Sequence, residues 1–360
     1  MQWKRLVPWL LPVVPAVAIK IFTYFPDAIE KYYSNGFYPF LARFQRFMFG
    51  WIPFSIGDIL YGITVIYILV QLIRFIRKAF QRRLGRRYLV YCAGRLFSGA
   101  LWLYVIFNFL WGLNYDRPDL TTRLNLESQP YTNDQLRNLV SVIVSRLNTL
   151  DSAARVHRQD LAKKKKLFRG SVLAYRNYAA HDDMFYYHAP SVKPSLYSYL
   201  GNYFGFSGYY NPFTGEAQVN TTVPLFVQPF TTCHEIGHQL GYAKEEEANF
   251  AGYLAAKSST DPAFRYSVYF DLYLYAGSAL YQRDSASFIP FREQLNPSVR
   301  ADLHELKIFY KRYENPFEPV IRKLYGGYLK ANKQPQGMNA YDEVIGLAIA
   351  WYDKFGREAF

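Results

Sequence analysis

Residues 231–256 read TTCHEIGHQLGYAKEEEANFAGYLAA and carry the strongest chemical signal in the chain. His234 and His238 stand four apart, so on a helix both project from one face. Two imidazoles at that spacing reach a single Zn²⁺ at about 2.0–2.1 Å. Glu235 follows His234 directly. It is poorly placed as a further ligand, but it can take a proton from water held by the metal. The metal lowers that water's pKa to about 7, which supplies hydroxide at neutral pH. A chance match to this pattern in a chain of such length is expected roughly once in a hundred. Cys233 adjoins the motif, but a helix turns it about 100° from His234. It is expected to be a small buried residue.

A catalytic zinc needs a third protein ligand and an open position. Gly241 is a natural helix stop, so a second helix is expected from Ala243 or Lys244. Its first turn offers Glu245, Glu246 and Glu247. The face below Glu245 runs through Ala248, Asn249, Gly252 and Ala256, all small enough to lie close against the histidine helix. The face below Glu246 carries Asn249, Phe250 and Tyr253, and that below Glu247 carries Phe250, Ala251 and Leu254. Bulk on either would hold the carboxylate away from the metal. Glu245 is therefore the expected third ligand, with Glu247 the alternative. Asn249 is expected to accept a hydrogen bond from the outer nitrogen of a ligand histidine. A structural zinc would fill four positions with protein ligands, and no fourth candidate is apparent.

Other residues carry weaker signals. His188 (in YYHAP), Tyr209 and Tyr210 are candidates to stabilise an oxyanion or bind substrate, set against ordinary structural roles. Glu216 reads as a turn or surface residue on an edge strand. His157, His181 and His304 are isolated.

The elements that must position this chemistry follow from patterning. Thr132-Asn133-Asp134-Gln135 matches a capping box, and Leu136, Leu139, Val140, Ile143, Leu147 and Leu150 follow at helical spacing. Residues 189–229 are cut by five prolines into short β-prone pieces, with a turn at 211–215 and a strand at 217–220. From Phe230 the chain reads as helical with interruptions. The expected class is α+β, mostly helical, with a small sheet before the motif.

Charge is uneven along the chain. Residues 1–113 hold 14 Lys/Arg and 3 Asp/Glu, a net of +11, while the remainder holds 28 and 25, a net of +3. The basic residues flank apolar runs, which speaks for membrane topology rather than nucleic acid. Three stretches, about 6–24, 56–75 and 88–113, are long enough for the ~20 residues that a hydrocarbon core requires. The first also has signal-peptide features: Lys4 and Arg5, an apolar run, then Ala16-Val17-Ala18. Both a retained helix and a cleaved one remain open. The loop with Arg74, Arg77, Lys78, Arg82, Arg83, Arg86 and Arg87 has no acids, so it belongs in the cytoplasm. Lys4 and Arg5 fall on the same side. The loop at 25–53 and residues 114–360 then lie outside. Lys20, Asp58 and Arg95 are expected to snorkel to interfaces. Residues 38–51 (YPFLARFQRFMFGW) read either as an interfacial helix or as a connecting loop. Lys163–Lys166 reads as a solvated face, with lipid headgroups as the sharper alternative. The two cysteines, Cys92 and Cys233, suggest no disulfide framework.

The helix with His234, Glu235 and His238, followed by Glu245, Ala248 and Asn249, resembles the gluzincin metallopeptidases, although only six residues separate His238 from Glu245. A broader resemblance rests on the N-terminal spans, KPS (193–195), NPFTGEAQVN (211–220), Pro229-Phe230, HEIGHQLGYAKEEEANF and an aromatic helix near Tyr341. These are similar to the bacterial membrane family called domain of unknown function 3810. That resemblance implies a zincin-like, zinc-peptidase-like domain outside the inner membrane and brings no substrate with it. The expectation is a multi-pass, membrane-anchored zinc hydrolase with membrane domain 1–113 and extracytoplasmic (periplasmic) domain 114–360. It would act on a peptide or protein, or on an amide in peptidoglycan or a modified lipid. A non-catalytic, zinc-stabilised scaffold or sensor is the competing expectation.

Overall fold

The computed structural model describes residues 7–126, 130–334 and 341–360. Lys4, Arg5 and the first residue of the first apolar stretch lie outside the described residues. The principal elements in chain order are α1 (Val13–Phe22), α2 (Tyr38–Gly50), α3 (Ile56–Phe80), α4 (Arg86–Leu110), α5 (Asn133–Leu161) and α6 (Lys164–Ala179). Strands β1 (Val192–Pro194), β2 (Gly208–Asn211) and β3 (Glu216–Val219) follow. After them come α7 (Gln228–Gln239), α8 (Glu245–Lys257), α9 (Pro262–Arg283), α10 (Pro297–Tyr313), α11 (Glu318–Ala331) and α12 (Tyr341–Ala359). The chain is mostly helical with one small sheet, as the patterning predicts.

Helices α3 and α4 are each 25 residues and apolar enough to cross a membrane. Such a helix is about 37 Å long, against a hydrocarbon core of about 30 Å. The first apolar stretch differs from the sequence expectation in being broken. A short helix Val7–Leu10 ends in a turn at Leu11-Pro12, and α1 starts after it. Pro12 lacks the N–H that would continue the ladder. The loop expected at 25–53 is largely helical, through Pro26–Phe37 and then α2.

Two readings of charged residues are corrected. Asp58 does not snorkel. Its carboxylate is buried and accepts from Leu196 N (2.7 Å) and the Tyr209 hydroxyl (2.6 Å). Glu216 is neither at the surface nor on an edge strand. Strand order is β1-β3-β2, with β1 parallel and β2 antiparallel to the central β3. Glu216 opens that central strand fully buried. Its carboxylate accepts from Ile56 N (3.2 Å), Gly57 N (2.7 Å), Ser55 Oγ (3.3 Å) and Thr214 Oγ1 (3.0 Å). It thus neutralises the otherwise unpaired first N–H groups of α3. Of the other two residues expected to snorkel, Arg95 donates to the Tyr91 and Tyr67 hydroxyls, and the Lys20 ammonium lies 5.4 Å from the Tyr24 ring centre.

Lys193 works at the other end of a helix. Its ammonium donates to the carbonyls of Phe49, Gly50 and Ile52, where α2 runs out. The KPS and NPFTGEAQVN segments are therefore the joint between the sheet and the N-terminal helices.

Helix α2 is a helix rather than a loop, and it has two faces. Tyr38, Ala42, Gln45 and Arg46 are buried, while Phe40, Phe44, Phe47 and Trp51 are exposed. Helix α5 begins at the predicted capping box: Gln135 N donates to Thr132 Oγ1 (3.2 Å) and Thr132 N to Gln135 Oε1 (2.9 Å). The α5 face built on Leu136, Leu139, Val140, Ile143 and Leu147 packs on α9 to make the main core, with Tyr175, Phe250, Phe264 and Phe270 fully buried. Lys163–Lys166 is exposed at the start of α6.

Glu216→Ala leaves several buried donors without an acceptor. Each such group costs about 1–3 kcal/mol. The variant is expected to unfold at a clearly lower temperature in detergent, and Glu216→Gln to lose less. An unchanged midpoint for Glu216→Ala would contradict the capping role.

Candidate metal centre

Helix α7 starts with Pro229 in its first turn, where a missing N–H costs nothing. It ends as the sequence predicts. Gly241 takes φ +89°, and Tyr242 N reaches back to Gly237 O at 3.1 Å. The chain then reverses and α8 begins at Glu245. The two helices touch through their glycines. A Cβ on Gly252 would fall 2.9 Å from His234 N, and one on Gly237 would fall 3.2 Å from Ala248 O. The small face predicted below Glu245 is therefore what lets α8 lie against the histidine helix.

This approach brings the Glu245 carboxylate to the histidines. Oε2 is 3.4 Å from His234 Nε2, and Oε1 is 3.8 Å from His238 Nε2. The imidazole centres are 4.7 Å apart, with planes at 89°. Donor atoms of His234, Glu235 and His238 also fall within 4.8 Å of one another. Two carboxylates thus compete for the role of ligand. Glu235 shares a helix with the histidines and is turned about 100° from His234, whereas Glu245 faces both Nε2 atoms from the opposing helix. We take Glu245 as the candidate ligand and Glu235 as the neighbouring acid–base group.

The alternative ligand, Glu247, points elsewhere. Its carboxylate is buried against Arg117 Nη2 (3.4 Å) and Leu120 N (2.9 Å). Asn249 lines the site but does not hold a ligand histidine, contrary to expectation. That task for His238 falls to a backbone carbonyl, Tyr242 O, 2.7 Å from Nδ1. A carbonyl can only accept, so Nδ1 carries the proton and the Nε2 lone pair faces Glu245. His234 Nδ1 is buried with no partner among the described residues. Asp271 of α9 lines the same cavity, and its own Oδ2 is similarly buried and unpartnered.

The electrostatics suit a cation. Burial alone would raise Glu245, but the hydrogen bond from His234 and the histidine charges hold it at about 2. Burial, then the neighbouring His234, pushes His238 down to about 4. Burial lifts Glu235 to about 8. Two imidazole nitrogens and one carboxylate form a donor set that fits zinc with an open position.

Residues that the sequence did not flag complete the site. Trp111, just past α4, donates from Nε1 to His238 O (3.0 Å). Tyr38 Oη and Arg46 Nη1, both on α2, donate to Gln239 O at 2.9 and 3.0 Å. Tyr325 of α11 donates to Glu245 Oε1 (2.7 Å). No local spacing ties any of these to the motif.

Of the remaining candidates, Tyr209 lines the cavity with its hydroxyl committed to Asp58 and Ser195. Tyr210 packs its ring on Trp111 (5.1 Å). His188 is exposed, its ring tilted at 48° against Tyr186 outside this cavity. Cys233 is buried, as expected, and burial pushes its thiol up. The cavity has a volume of about 1280 Å³. Edge strand β2 runs across it, and Gly208 permits the crossing: a Cβ there would sit 2.6 Å from Glu235 Oε1.

Glu245→Ala is expected to weaken zinc binding by more than the roughly 10–100-fold that loss of an outer partner causes. Glu247→Ala should keep its zinc but lose about 3–5 kcal/mol of stability, because it leaves Arg117 buried and unpaired. Zinc content by elemental analysis, beside a thermal melt, separates the two. Zinc lost from Glu247→Ala while Glu245→Ala keeps it would reverse the assignment.

No curated protein and no solved structure matches the chain. Residues 33–349 match the family described as protein of unknown function (DUF3810). The match runs from Tyr33, ahead of α2, into α12, and so takes in both long apolar helices and the whole metal centre. The chain belongs to that family.

Proposed function

We propose that the protein is a membrane-anchored zinc metallopeptidase. The observation that carries this reading is the convergence of His234 Nε2, His238 Nε2 and the Glu245 carboxylate, with the carboxyl of Glu235 beside them. A zinc ion held by those three residues supplies Lewis acidity at the scissile carbonyl. Glu235 takes the proton of the attacking water and returns it to the departing amine. Tyr325 fixes the Glu245 carboxylate through its hydroxyl.

A peptide is favoured over a glycan-linked amide by β2. Among the described residues that strand pairs only with β3, and its residues 208–210 line the cavity. An extended peptide can add to its free edge by main-chain hydrogen bonds, which places a backbone amide next to Glu235. A purely structural metal is disfavoured because, besides Glu235, the described residues at the centre offer three donors rather than four.

The proposed orientation puts the basic turn between α3 and α4 in the cytoplasm and the metal centre, at the opposite ends of those helices, in the periplasm. The bacterial inner membrane is the proposed location.

Glu235→Gln should retain zinc and lose roughly 10²–10⁴-fold in hydrolysis of a peptide library, scored by mass spectrometry. Activity equal to the unsubstituted protein in that variant would refute the mechanism. Chelation should abolish hydrolysis and added zinc restore it.

A further inference from the structure

The cavity does not stop at the candidate metal centre. It continues along α4, where Ala100, Leu103, Tyr104, Phe107 and Trp111 form one stripe at helical spacing. Lys20 and Thr23 at the end of α1 bound it on one side and Tyr61 of α3 on the other. From Trp111 to Ala100 is about 16 Å along a helix. Half of a hydrocarbon core is about 15 Å. The cavity therefore descends by about one leaflet. Nearer the basic turn the two long helices are bridged: Arg95 Nη2 donates to the Tyr67 hydroxyl (3.1 Å), and Phe75 stacks on Tyr88 at 6.4 Å. The side of the cavity is open, since Leu103 lines it and still leaves 57% of its surface uncovered. One end thus holds a hydrolytic centre. The other is an apolar and aromatic slot, one leaflet deep and open sideways.

We propose that the substrate is a peptide bearing a lipid anchor, with its acyl part along the α4 stripe and its peptide part at His234, Glu235 and β2. This rests on the metallopeptidase reading and narrows its substrate class. Depth decides for an acyl chain over a transmembrane helix. A helix must cross the whole core and has nowhere to go past the Arg95–Tyr67 bridge, whereas a chain anchored in one leaflet ends where the slot ends. An acyl chain also carries no backbone polar groups, so the slot need not satisfy any.

The test uses the full chain in lipid nanodiscs, zinc-loaded and zinc-stripped. The probe is palmitoyl-tetra-alanine amide with a diazirine in its acyl chain. Adducts are expected on Leu103, Tyr104 and Phe107. Excess unlabelled palmitoyl peptide should displace them, and acetyl peptide or palmitate should not. Ala100→Trp and Leu103→Trp, each checked for zinc content and melting, should weaken displacement about tenfold by filling the slot.

The inference is overturned by adducts only on the outward-facing Trp102, Ile106 and Phe109. Trp102, Ile106 and Phe109 are the contrast because they do not line the cavity. The inference is equally overturned by labelling that palmitate displaces as well as the lipopeptide, or by stronger displacement from a transmembrane peptide. Labelling is read with and without zinc. Its absence in protein that still binds zinc therefore sinks this inference alone. Failure to bind zinc sinks the catalytic reading and leaves the labelling to stand or fall by itself.

Discussion

The last carbonyls of an α-helix have no partner within the helix, and the motif helix solves this with groups from the N-terminal third of the chain. His238 O accepts from Trp111, and Gln239 O from Tyr38 and Arg46. His238 is at once a candidate ligand and part of this capped end. Its imidazole is locked from outside by Tyr242 O and flanked by the Trp111 ring, 5.8 Å away at 81°. The geometry of the metal centre thus depends on where α2 and the end of α4 are held. Those positions depend in turn on Glu216 at the start of α3 and Lys193 at the end of α2. Buried charge-assisted hydrogen bonds of this kind are costly to break on one side only. The arrangement couples the long apolar helices to the site as a mechanical reference rather than as a tether.

The local part of the site was legible in the sequence because helical geometry is local. The spacing of His234 and His238, the stop at Gly241 and the small face below Glu245 follow from 3.6 residues per turn and from side-chain size. What was illegible is long-range. Glu216 meets α3 across 159 residues, Asp58 meets Leu196 across 138, and Trp111 meets His238 across 127. An acid beside an apolar run reads the same whether it faces headgroups or a protein interior, so the sequence alone places Asp58 at an interface. Glu216 follows a turn signal, and turn residues are usually exposed. Asn249 was expected behind a histidine by its place one turn from Glu245, but the sharp reversal at Gly241 brings Tyr242 O to His238 instead. The first apolar stretch reads as one span from its composition, and it breaks at Pro12, whose effect on a helix is local. The lining of the cavity by α4 was not, because that stripe reads as an ordinary face of an apolar helix.

The acids of the fold divide by what their oxygens already hold. Glu216 and Glu247 accept backbone N–H groups at the starts of α3 and of the short helix Leu120–Leu124, and Asp58 accepts the N–H of Leu196. Asp302 is held by Arg155, Arg158 and Tyr266. Each has its lone pairs committed to hydrogen bonds within the fold. Glu235, Glu245 and Asp271 differ. None accepts a backbone N–H in the described residues, and Glu235 and Asp271 each leave an oxygen buried and unpartnered. Burial lifts Glu235 to about 8 and Asp271 to about 7. Glu246 also has an unpartnered oxygen, but it faces Glu343 away from the cavity. An unpartnered buried oxygen costs stability, and this cavity holds two, on Glu235 and Asp271, beside the Glu245 carboxylate that His234 and Tyr325 hold. Glu235, Glu245 and Asp271 all lie close enough to act on His234, whose Nδ1 is also unpartnered. That cluster of unspent polar capacity, together with the motif spacing, sets this cavity apart from a helix that merely carries two histidines.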